Sequence, residues 1–278
     1  MFIATSKRLL AAGLILLSLA SCSDKERDGA TRLVSEADAA IENRNFAGAI
    51  TLLDTLNARY PAQTELRRKA LRLRAQAMEG IAIDSIQAAD AALASSTISR
   101  EEWDAKFRHV DSSVGLEGYF IPKGAAEKVM TATGIQPRVS EKGFFYIVAN
   151  VQGKTIGLNA IEFVDGATSI SSSEISPVRV IKVEGSESAS FNPEEIEGVG
   201  EWLTEHPGTS KLVLKGSKGS VNVKVDDKMR TQLADCYSYS KALQAQRLAS
   251  LHREKYERML ATARDQLANL PQTEEEGK

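Results

Sequence analysis

The sequence predicts an α+β protein in which a helical hairpin precedes a long antiparallel helix pair, with a mostly antiparallel β-rich domain inserted between its two helices. Three observations predict this class. Apolar residues recur at helical spacing from residue 30 to about residue 95, whereas residues 117–225 contain Gly-punctuated runs rich in Val, Ile, Phe and Thr. Residues 226–270 contain neither Pro nor Gly, as expected for one long helix.

Composition and charge are those of an ordinary globular protein, with 42% hydrophobic and 26% charged residues. The formal net charge is −2, and it becomes −4 once the first 21 residues, which include Lys7 and Arg8, are removed. A nucleic-acid-binding protein needs a basic surface that neutralises phosphates. The sequence therefore predicts a chain with no nucleic-acid partner.

The N-terminus has the three parts of an export signal. Lys7 and Arg8 are followed by an apolar stretch, residues 9–19, that is short for a membrane-spanning helix, and then by Leu19-Ala20-Ser21-Cys22. This motif resembles the lipobox of bacterial lipoproteins, in which a peptidase cuts before the cysteine and the sulfur carries a diacylglyceryl group. The resemblance implies a signal peptide at residues 1–21 and anchoring to a lipid bilayer through acylated Cys22. An uncleaved signal anchor and an ordinary secretory peptide are the alternatives.

The residues after Cys22 indicate where such a lipoprotein would reside. Ser23, rather than Asp, follows the cysteine, which resembles lipoproteins destined for the outer membrane. The charged start of residues 22–28 also resembles the tethers of Bacteroides-type surface lipoproteins. The resemblance implies a lipidated tether at residues 22–28 and a cell-envelope location at the outer membrane, on either its periplasmic or its surface face.

Residues 29–112 predict a helical hairpin, with a turn near residues 43–45, followed by a long helix. The second arm of the hairpin has small and aromatic residues closed by Pro61, and it resembles the second helix of a tetratricopeptide repeat. The first arm lacks the usual Trp and Gly positions. A single repeat cannot bury its own apolar face, so the resemblance implies docking on the rest of this chain or on a partner. The residues expected to dock are Phe46, Leu53, Leu56 and Tyr60.

The long helix is expected over residues 63–95, and the capping box Ser99-Arg100-Glu101-Glu102 predicts that a short helix starts there, carrying Trp103 and Phe107. In the β-rich domain, residues 113–225, the first two strands are expected to pair as a hairpin. A helix capped by Asn192 is expected to end near His206. The strands are expected at 144–151, 155–164, 178–183, 211–215 and 221–225.

The helix at residues 226–270 needs a partner along its length, and residues 63–95 are the candidate. Its partner-facing stripe is expected to contain Leu233, Tyr237, Leu248, Leu251 and Met259. The tail at residues 271–278 is expected to be disordered.

Catalytic and metal-binding patterns are missing from the sequence. Gly153-Lys154-Thr155 lacks the glycine that a phosphate loop requires five residues earlier, where Val148 stands, and the three histidines are far apart. We therefore expect no catalytic site, no metal and no cofactor. With Cys22 lipidated, Cys236 is left alone and is expected to be a buried hydrophobic residue.

Two tryptophans, Trp103 and Trp202, are the candidate ligand-stacking residues, because an exposed indole can stack on a sugar ring. Both lie in predicted amphipathic helices, where packing into the core is the alternative.

The sequence as a whole predicts a membrane-anchored lipoprotein that acts as a non-enzymatic adaptor or assembly component, through contacts with other envelope proteins. The alternative is a lipoprotein that binds a glycan or another ligand with its β-rich domain. A hydrolase with scattered catalytic residues and the oligomeric state stay open.

Overall fold

The computed structural model describes residues 7–111, 117–125 and 132–270, with side chains described from residue 24 onward. These residues form an α+β fold of long helices and antiparallel strands, which confirms the predicted fold class. The predicted tail, residues 271–278, lies outside the described residues. The helices are α1 (Lys7–Glu42), α2 (Phe46–Arg59), α3 (Thr64–Asp104), α4 (Val199–Glu205) and α5 (Asp227–Asn269).

The strands form two sheets, and all strand pairs of the described ranges are antiparallel. Sheet A has the order β1-β2-β3-β4-β8-β7, and sheet B has the order β10-β9-β5-β6. The strands are β1 (Phe107–Val110), β2 (Tyr119–Pro122), β3 (Gly134–Ser140), β4 (Phe145–Val151), β5 (Leu158–Asp165), β6 (Thr168–Ser171), β7 (Ile181–Val183), β8 (Ser186–Phe191), β9 (Lys211–Gly216) and β10 (Gly219–Lys224).

The chain divides into two compact units. A β-rich unit comprises residues 91–249, and a helical unit combines the segments before and after it in sequence, up to Asp90 and from Ser250. The β-rich unit is therefore inserted into the helical unit, as predicted. It contains the end of α3 and the first half of α5 in addition to both sheets.

In the helical unit, α1 and α2 form the predicted hairpin. The turn between them contains Arg44 with a positive φ of 58°, and the side chain of Asn45 caps α2 by accepting a hydrogen bond from the backbone N–H of Gly48 at 3.1 Å. The hairpin packs against the start of α3 around a core of small and aliphatic side chains. The buried members are Ala30, Ala37, Ala49, Leu53, Leu56, Ala70 and Ala77.

Side-chain contacts join α3 and α5 in both units. In the helical unit Glu79 pairs with Arg264 at 2.9 Å, and Asp90 pairs with Arg253 at 2.7 Å. In the β-rich unit the Tyr239 hydroxyl donates to Asp104 at 2.5 Å. The contacts occur in the order Glu79, Asp90 and Asp104 along α3. Their partners on α5 occur in the reverse order, Arg264, Arg253 and Tyr239, which confirms the predicted antiparallel pair. Exposed ion pairs contribute about 0–1 kcal/mol each, so these contacts indicate register more than stability.

The core of the β-rich unit combines side chains from both sheets, α4 and the first half of α5. Alternate residues of β8 point into it, namely Glu187, Ala189 and Phe191. Its largest fully buried side chains are Tyr239, Phe163, Phe191, Ile147, Leu158, Ile161, Leu212, Leu214 and Leu233.

A buried carboxylate connects the two sheets. Glu187 of β8 is 0% exposed, and its oxygens accept hydrogen bonds from the backbone N–H groups of Ile156, Gly157 and Leu158 at 2.9, 3.2 and 3.1 Å. Ile156 and Gly157 end the connection from β4 in sheet A to β5 in sheet B, and Leu158 begins β5. Glu187 therefore holds the crossing between the sheets and satisfies three amides that the sheet ladders leave without partners.

The long helix α3 differs from its prediction. It continues to Asp104, so the separate helix expected from Ser99 does not form, and Phe107 begins β1 instead. The capping-box residues lie in the helix interior, because no Gly or Pro interrupts residues 81–104 and α5 packs along this stretch through Gln246, which bonds to Thr97 and Arg100. Residues 22–28, expected as a tether, lie within α1.

The predicted hairpin of residues 144–151 with 155–164 is wrong. β4 pairs with β3 and β8, whereas β5 pairs with β6 and β9 in the other sheet. Gly153 and Gly157 both have positive φ, 75° and 67°, and the connection they form turns away from β4 to the second sheet. The expected strand 178–183 is reduced to β7, because Pro177 starts a short 3₁₀ turn at Pro177–Arg179.

Two helix details also differ, whereas the ranges of β9, β10 and α5 lie within two residues of their predictions. α4 begins at Val199 after Gly198 in the left-handed conformation, so Asn192 is not its cap. The Asn192 backbone N–H instead donates to the Glu195 carboxylate at 2.7 Å. On α5, Leu248 and Leu251 of the predicted stripe are exposed, whereas Leu233 is buried together with Cys236, Tyr239 and Leu243.

Candidate functional site

The candidate site is a cleft of about 630 Å³ on the face of sheet A that points away from the core. Strand alternation builds it, since Glu187, Ala189 and Phe191 enter the core and the serines between them face outward. Strands β3, β4, β8 and β7 contribute side chains. The lining includes Arg138, Val148, Asn150, Gln152, Arg179, Ile181, Val183, Glu184, Ser186, Ser188 and Ser190.

One side of the cleft is the edge of sheet A. β7 is the last strand there, with β8 as its neighbour, and no strand of the described ranges pairs with its outer edge. The turn to β8 contains Glu184 and Gly185, both with positive φ, 47° and 78°, as a two-residue type I′ hairpin requires. Ile181 and Val183 lie opposite Ser188 and Ser186, so their side chains share the cleft face.

Apolar side chains are unusually exposed along this edge. Ile181 is 67% and Val183 is 60% exposed, and Val178, just before β7, is 91% exposed. An edge strand carries unpaired N–H and C=O groups that can pair with another chain, and natural proteins usually protect such edges with charge, proline or a covering segment. We call residues 178–183 the β7 segment.

Charge is distributed unevenly along the cleft. Arg138 lies opposite Tyr146 at the start of β4, and Arg179 donates to the backbone carbonyl of Ser190, which lies at the same end of the cleft. Glu184 lies at the other end of the cleft, next to Ser186, whose hydroxyl donates to the Gln152 side chain. Gln152 is six residues from Tyr146, which is roughly 20 Å along an extended strand. The cleft therefore has one basic end and one end with a carboxylate.

The two arginines differ in whether their charge is neutralised. Arg179 forms two hydrogen bonds with the Glu195 carboxylate, at 2.6 and 3.3 Å. These bonds lower the pKa of Glu195 and raise the pKa of Arg179. Arg138 donates to Gln136 at 2.7 Å and stacks on the Tyr119 ring at 4.1 Å. Within the described residues, no carboxylate forms an ion pair with Arg138.

The Arg179–Glu195 pair gives a pH-dependent stability. Because the pKa of Glu195 is lowered in the folded state, the pair stabilises the fold fully above the ordinary carboxyl pKa near 4.5, and this stabilisation is lost as the pH falls through the folded pKa. We expect Glu195→Gln to unfold at lower urea than the native chain at pH 7. This difference should shrink as the pH falls below about 4.

The exposed neighbour Glu194 provides the control for this measurement. Glu194→Gln should have nearly native stability at pH 7, since exposed substitutions usually change the free energy of unfolding by less than about 0.5 kcal/mol. A Glu195→Gln deficit that stayed constant down to pH 3 would contradict the assigned role of the ion pair.

The four predicted docking residues of the hairpin are buried or half-buried. Leu53 and Leu56 are buried in the core of the helical unit, so they cannot contact a partner unless the hairpin opens. Phe46 and Tyr60 are half-buried, with Phe46 close to Gly80 of α3 and Tyr60 close to Gly29 of α1. The apolar face of the hairpin is thus covered by this chain's own helices.

The two predicted stacking residues also serve the core. Trp103 lies edge-on to Phe107 with Lys106 over its ring at 4.3 Å, and Trp202 stacks on His206 at 4.1 Å. Both indoles pack against the hydrophobic core of the β-rich unit. Neither lines the cleft, so the structure does not bring them together with the cleft residues.

Cys22 lies within α1, and its side chain is outside the described part of the structure. In the residues that the structure describes, no helix combines the length and apolar character needed to cross a bilayer. Cys236 is buried in the core, and burial raises the pKa of its thiol, so it is held as the neutral form.

A metal centre is not apparent in the described residues, where no cluster of three or more His, Cys, Asp or Glu side chains has metal-binding geometry. The histidine with the most acidic surroundings is His109, whose ring nitrogens lie 3.1 Å from Asp111 and 2.7 Å from Glu141. No nucleophilic side chain is hydrogen-bonded to it in the described structure.

Sequence reasoning missed the cleft. The alternation of Ser186, Ser188 and Ser190 with Glu187, Ala189 and Phe191 is a period-two pattern that could have marked a strand with one polar face. The position of Arg138 and Arg179 at one end of this face has no comparable signal, because it depends on strand order.

Comparisons with known proteins add no relatives. Scans against protein-family models, curated proteins and solved structures each find no match to this chain.

Proposed function

We propose that this protein is a lipoprotein of the cell envelope, anchored to the outer membrane through acylated Cys22, that acts as a non-enzymatic adaptor. Its partner is an envelope protein that adds an extended segment to the outer edge of the β7 segment. The observation that carries this proposal is the combination of an unpaired edge strand with exposed Ile181 and Val183. Addition of a strand to a free sheet edge is a common mode of peptide recognition.

The residues of β7 indicate what this segment contains. In a two-residue hairpin the residues next to the turn, Val183 and Ser186, form a hydrogen-bonded pair, so the backbone N–H and C=O of Lys182 point to the outer edge. A strand added there would place apolar side chains beside Ile181 and Val183. The Lys182 ammonium lies 3.9 Å from the Glu187 carboxylate, whose oxygens already accept three backbone N–H groups, and its side chain is 57% exposed. An acidic residue is therefore favoured opposite Lys182, because opposite charges stabilise a strand pair.

The same charge argument disfavours a second copy of this chain as the occupant. Antiparallel pairing of two β7 strands about Lys182 would place the two lysines directly opposite each other. Like charges in that position destabilise a strand pair. A different protein with an acidic extended segment therefore fits the edge better than self-association does.

A mass-spectrometry and co-purification experiment tests both parts of the proposal. The full chain is tagged at its C-terminus and isolated from native membranes in mild detergent, beside Cys22→Ser and the double variant Ile181→Lys/Val183→Lys. Mass spectrometry should find covalently bound fatty acid on Cys22 of the native chain and none on Cys22→Ser. The double variant should remain in the membrane. The amount of partner recovered with it should fall at least about tenfold, since buried apolar anchors dominate such interfaces.

The matched control is Ile98→Lys, because Ile98 is 61% exposed and lies on α3 instead of a strand. It should keep the partner. A native chain without fatty acid on Cys22 would refute the anchor. Equal recovery of the partner with the β7 double variant and with Ile98→Lys would refute the β7 segment as the docking surface.

The second candidate function is binding of a small ligand in the cleft. Its volume of about 630 Å³ favours this function, since ligand sites typically measure about 300–1,000 Å³. A glycan held by Trp103 or Trp202 is not favoured, because neither residue lines the cleft.

A further inference from the structure

We propose that the cleft on sheet A binds an organic anion with an apolar body, and that Arg138 holds the anionic group. This inference rests on the second candidate function, ligand binding in the cleft, and not on the adaptor function. It follows from three properties of the lining: an arginine without an acidic partner, a second arginine already neutralised, and an apolar wall.

The guanidinium of Arg138 is held in a fixed orientation at the basic end of the cleft. Its Nε donates to Gln136, and its plane stacks on the Tyr119 ring, so two side chains orient it. Burial raises the pKa of the neighbouring Tyr146, and Arg138 opposes this with a smaller lowering effect, so the hydroxyl stays neutral beside the guanidinium. The charge of Arg138 is therefore not cancelled by Tyr146, and its fork of donors suits a carboxylate, sulfonate or phosphate.

Arg179 reinforces this end of the cleft without competing for the ligand. Its hydrogen bonds go to Glu195 and to the Ser190 carbonyl, at 2.6, 3.3 and 2.9 Å. The net positive charge of the basic end thus comes from Arg138. Glu184 at the opposite end would repel an anion placed the other way round, which favours one orientation of the ligand.

The rest of the cleft suits an apolar body. Val148 lies on its floor, and Ile181 and Val183 form the wall next to the sheet edge. The floor also carries the hydroxyl groups of Ser188 and Ser190. The Ser188 hydroxyl donates to the Ala149 carbonyl at 3.2 Å and keeps its acceptor lone pairs, and the Asn150 amide donates to the Ala132 carbonyl at 2.9 Å. A cleft that is largely apolar with a few convergent polar groups is typical of small-molecule sites.

The experiment uses two fluorescent probes of nearly equal shape, anionic 1-pyrenebutyrate and neutral 1-pyrenebutanol. The protein is the predicted mature chain, residues 22–278, carrying Cys22→Ser in detergent-free buffer. Fluorescence anisotropy gives the dissociation constant of each probe. We expect pyrenebutyrate to bind at least about tenfold more tightly than pyrenebutanol, the ratio that one charge-assisted hydrogen bond supplies. Arg138→Gln should bring the two constants to within about twofold.

Two further variants locate the site. Arg253→Gln removes an arginine of α5 outside the cleft and should leave the probe preference unchanged. Ser188→Phe fills the floor and should weaken both probes together, with a native thermal melting profile as the folding control. Equal affinity for the two probes, binding that survives Ser188→Phe, a preference that survives Arg138→Gln, or no binding of either probe would each overturn the inference. None of these results bears on partner recovery with the β7 variants.

Discussion

Replacing Glu187 by alanine is expected to lower the free energy of unfolding of the β-rich unit by about 3–5 kcal/mol, because three buried backbone amides would lose a charged acceptor at once. The carboxylate is fully buried and accepts from Ile156, Gly157 and Leu158. Urea unfolding followed by tryptophan fluorescence measures this effect, since Trp103 and Trp202 both lie in the β-rich unit.

Two companion variants make the Glu187 measurement specific. Glu187→Gln keeps one acceptor oxygen but turns an NH₂ group toward backbone donors, so we expect an intermediate loss. Glu174→Ala removes an exposed glutamate in the same unit and should change the free energy of unfolding by less than about 0.5 kcal/mol. A loss below about 1 kcal/mol for Glu187→Ala would show that the amides find other partners.

Replacing Leu56 by alanine is expected to destabilise the helical unit by about 2–5 kcal/mol, the range for deleting a fully buried leucine side chain. Leu56 is 0% exposed and packs in the core formed by α1, α2 and the start of α3. Circular dichroism at the helical minimum, recorded during urea unfolding, is the appropriate signal because this unit has no tryptophan.

The control for Leu56 is the same substitution at Leu71 of α3, which is about half exposed in the same unit. Leu71→Ala should cost less than about 0.5 kcal/mol. If Leu56→Ala were as mild as Leu71→Ala, Leu56 would behave as the surface docking residue expected from the sequence, and its placement in the core would be wrong.

The helices were largely predictable because their signals are local. The turn at residues 43–45 and the uninterrupted stretch of α5 follow from side chains within a few positions of each other. The prediction for α3 stopped early because a capping-box pattern at Ser99 occurs inside a helix, where contacts with α5 outweigh it. Local propensity decides a helix end only where tertiary contacts do not.

The strand partners were not predictable in the same way. β4 and β5 are adjacent in sequence and look like a hairpin, yet they belong to different sheets because the connection between them is held by Glu187, about 30 residues away. Such a contact leaves no periodic signature. The candidate site was unpredictable for the same reason. Arg138 on β3 and Ile181 on β7 line one cleft only because β4 and β8 lie between their strands.

By itself, the sequence determined the fold class, the antiparallel pair of α3 with α5 and the insertion of a β-rich unit between them, because periodicity and the placement of Gly and Pro act over a few residues. The lipid anchor at Cys22 stays a prediction from the sequence. Only the tertiary structure decided which strands pair, that Leu53 and Leu56 are core residues, and that an arginine without an acidic partner borders an open cleft beside a free edge. These features depend on contacts between residues distant in sequence, whose free energies no local pattern records.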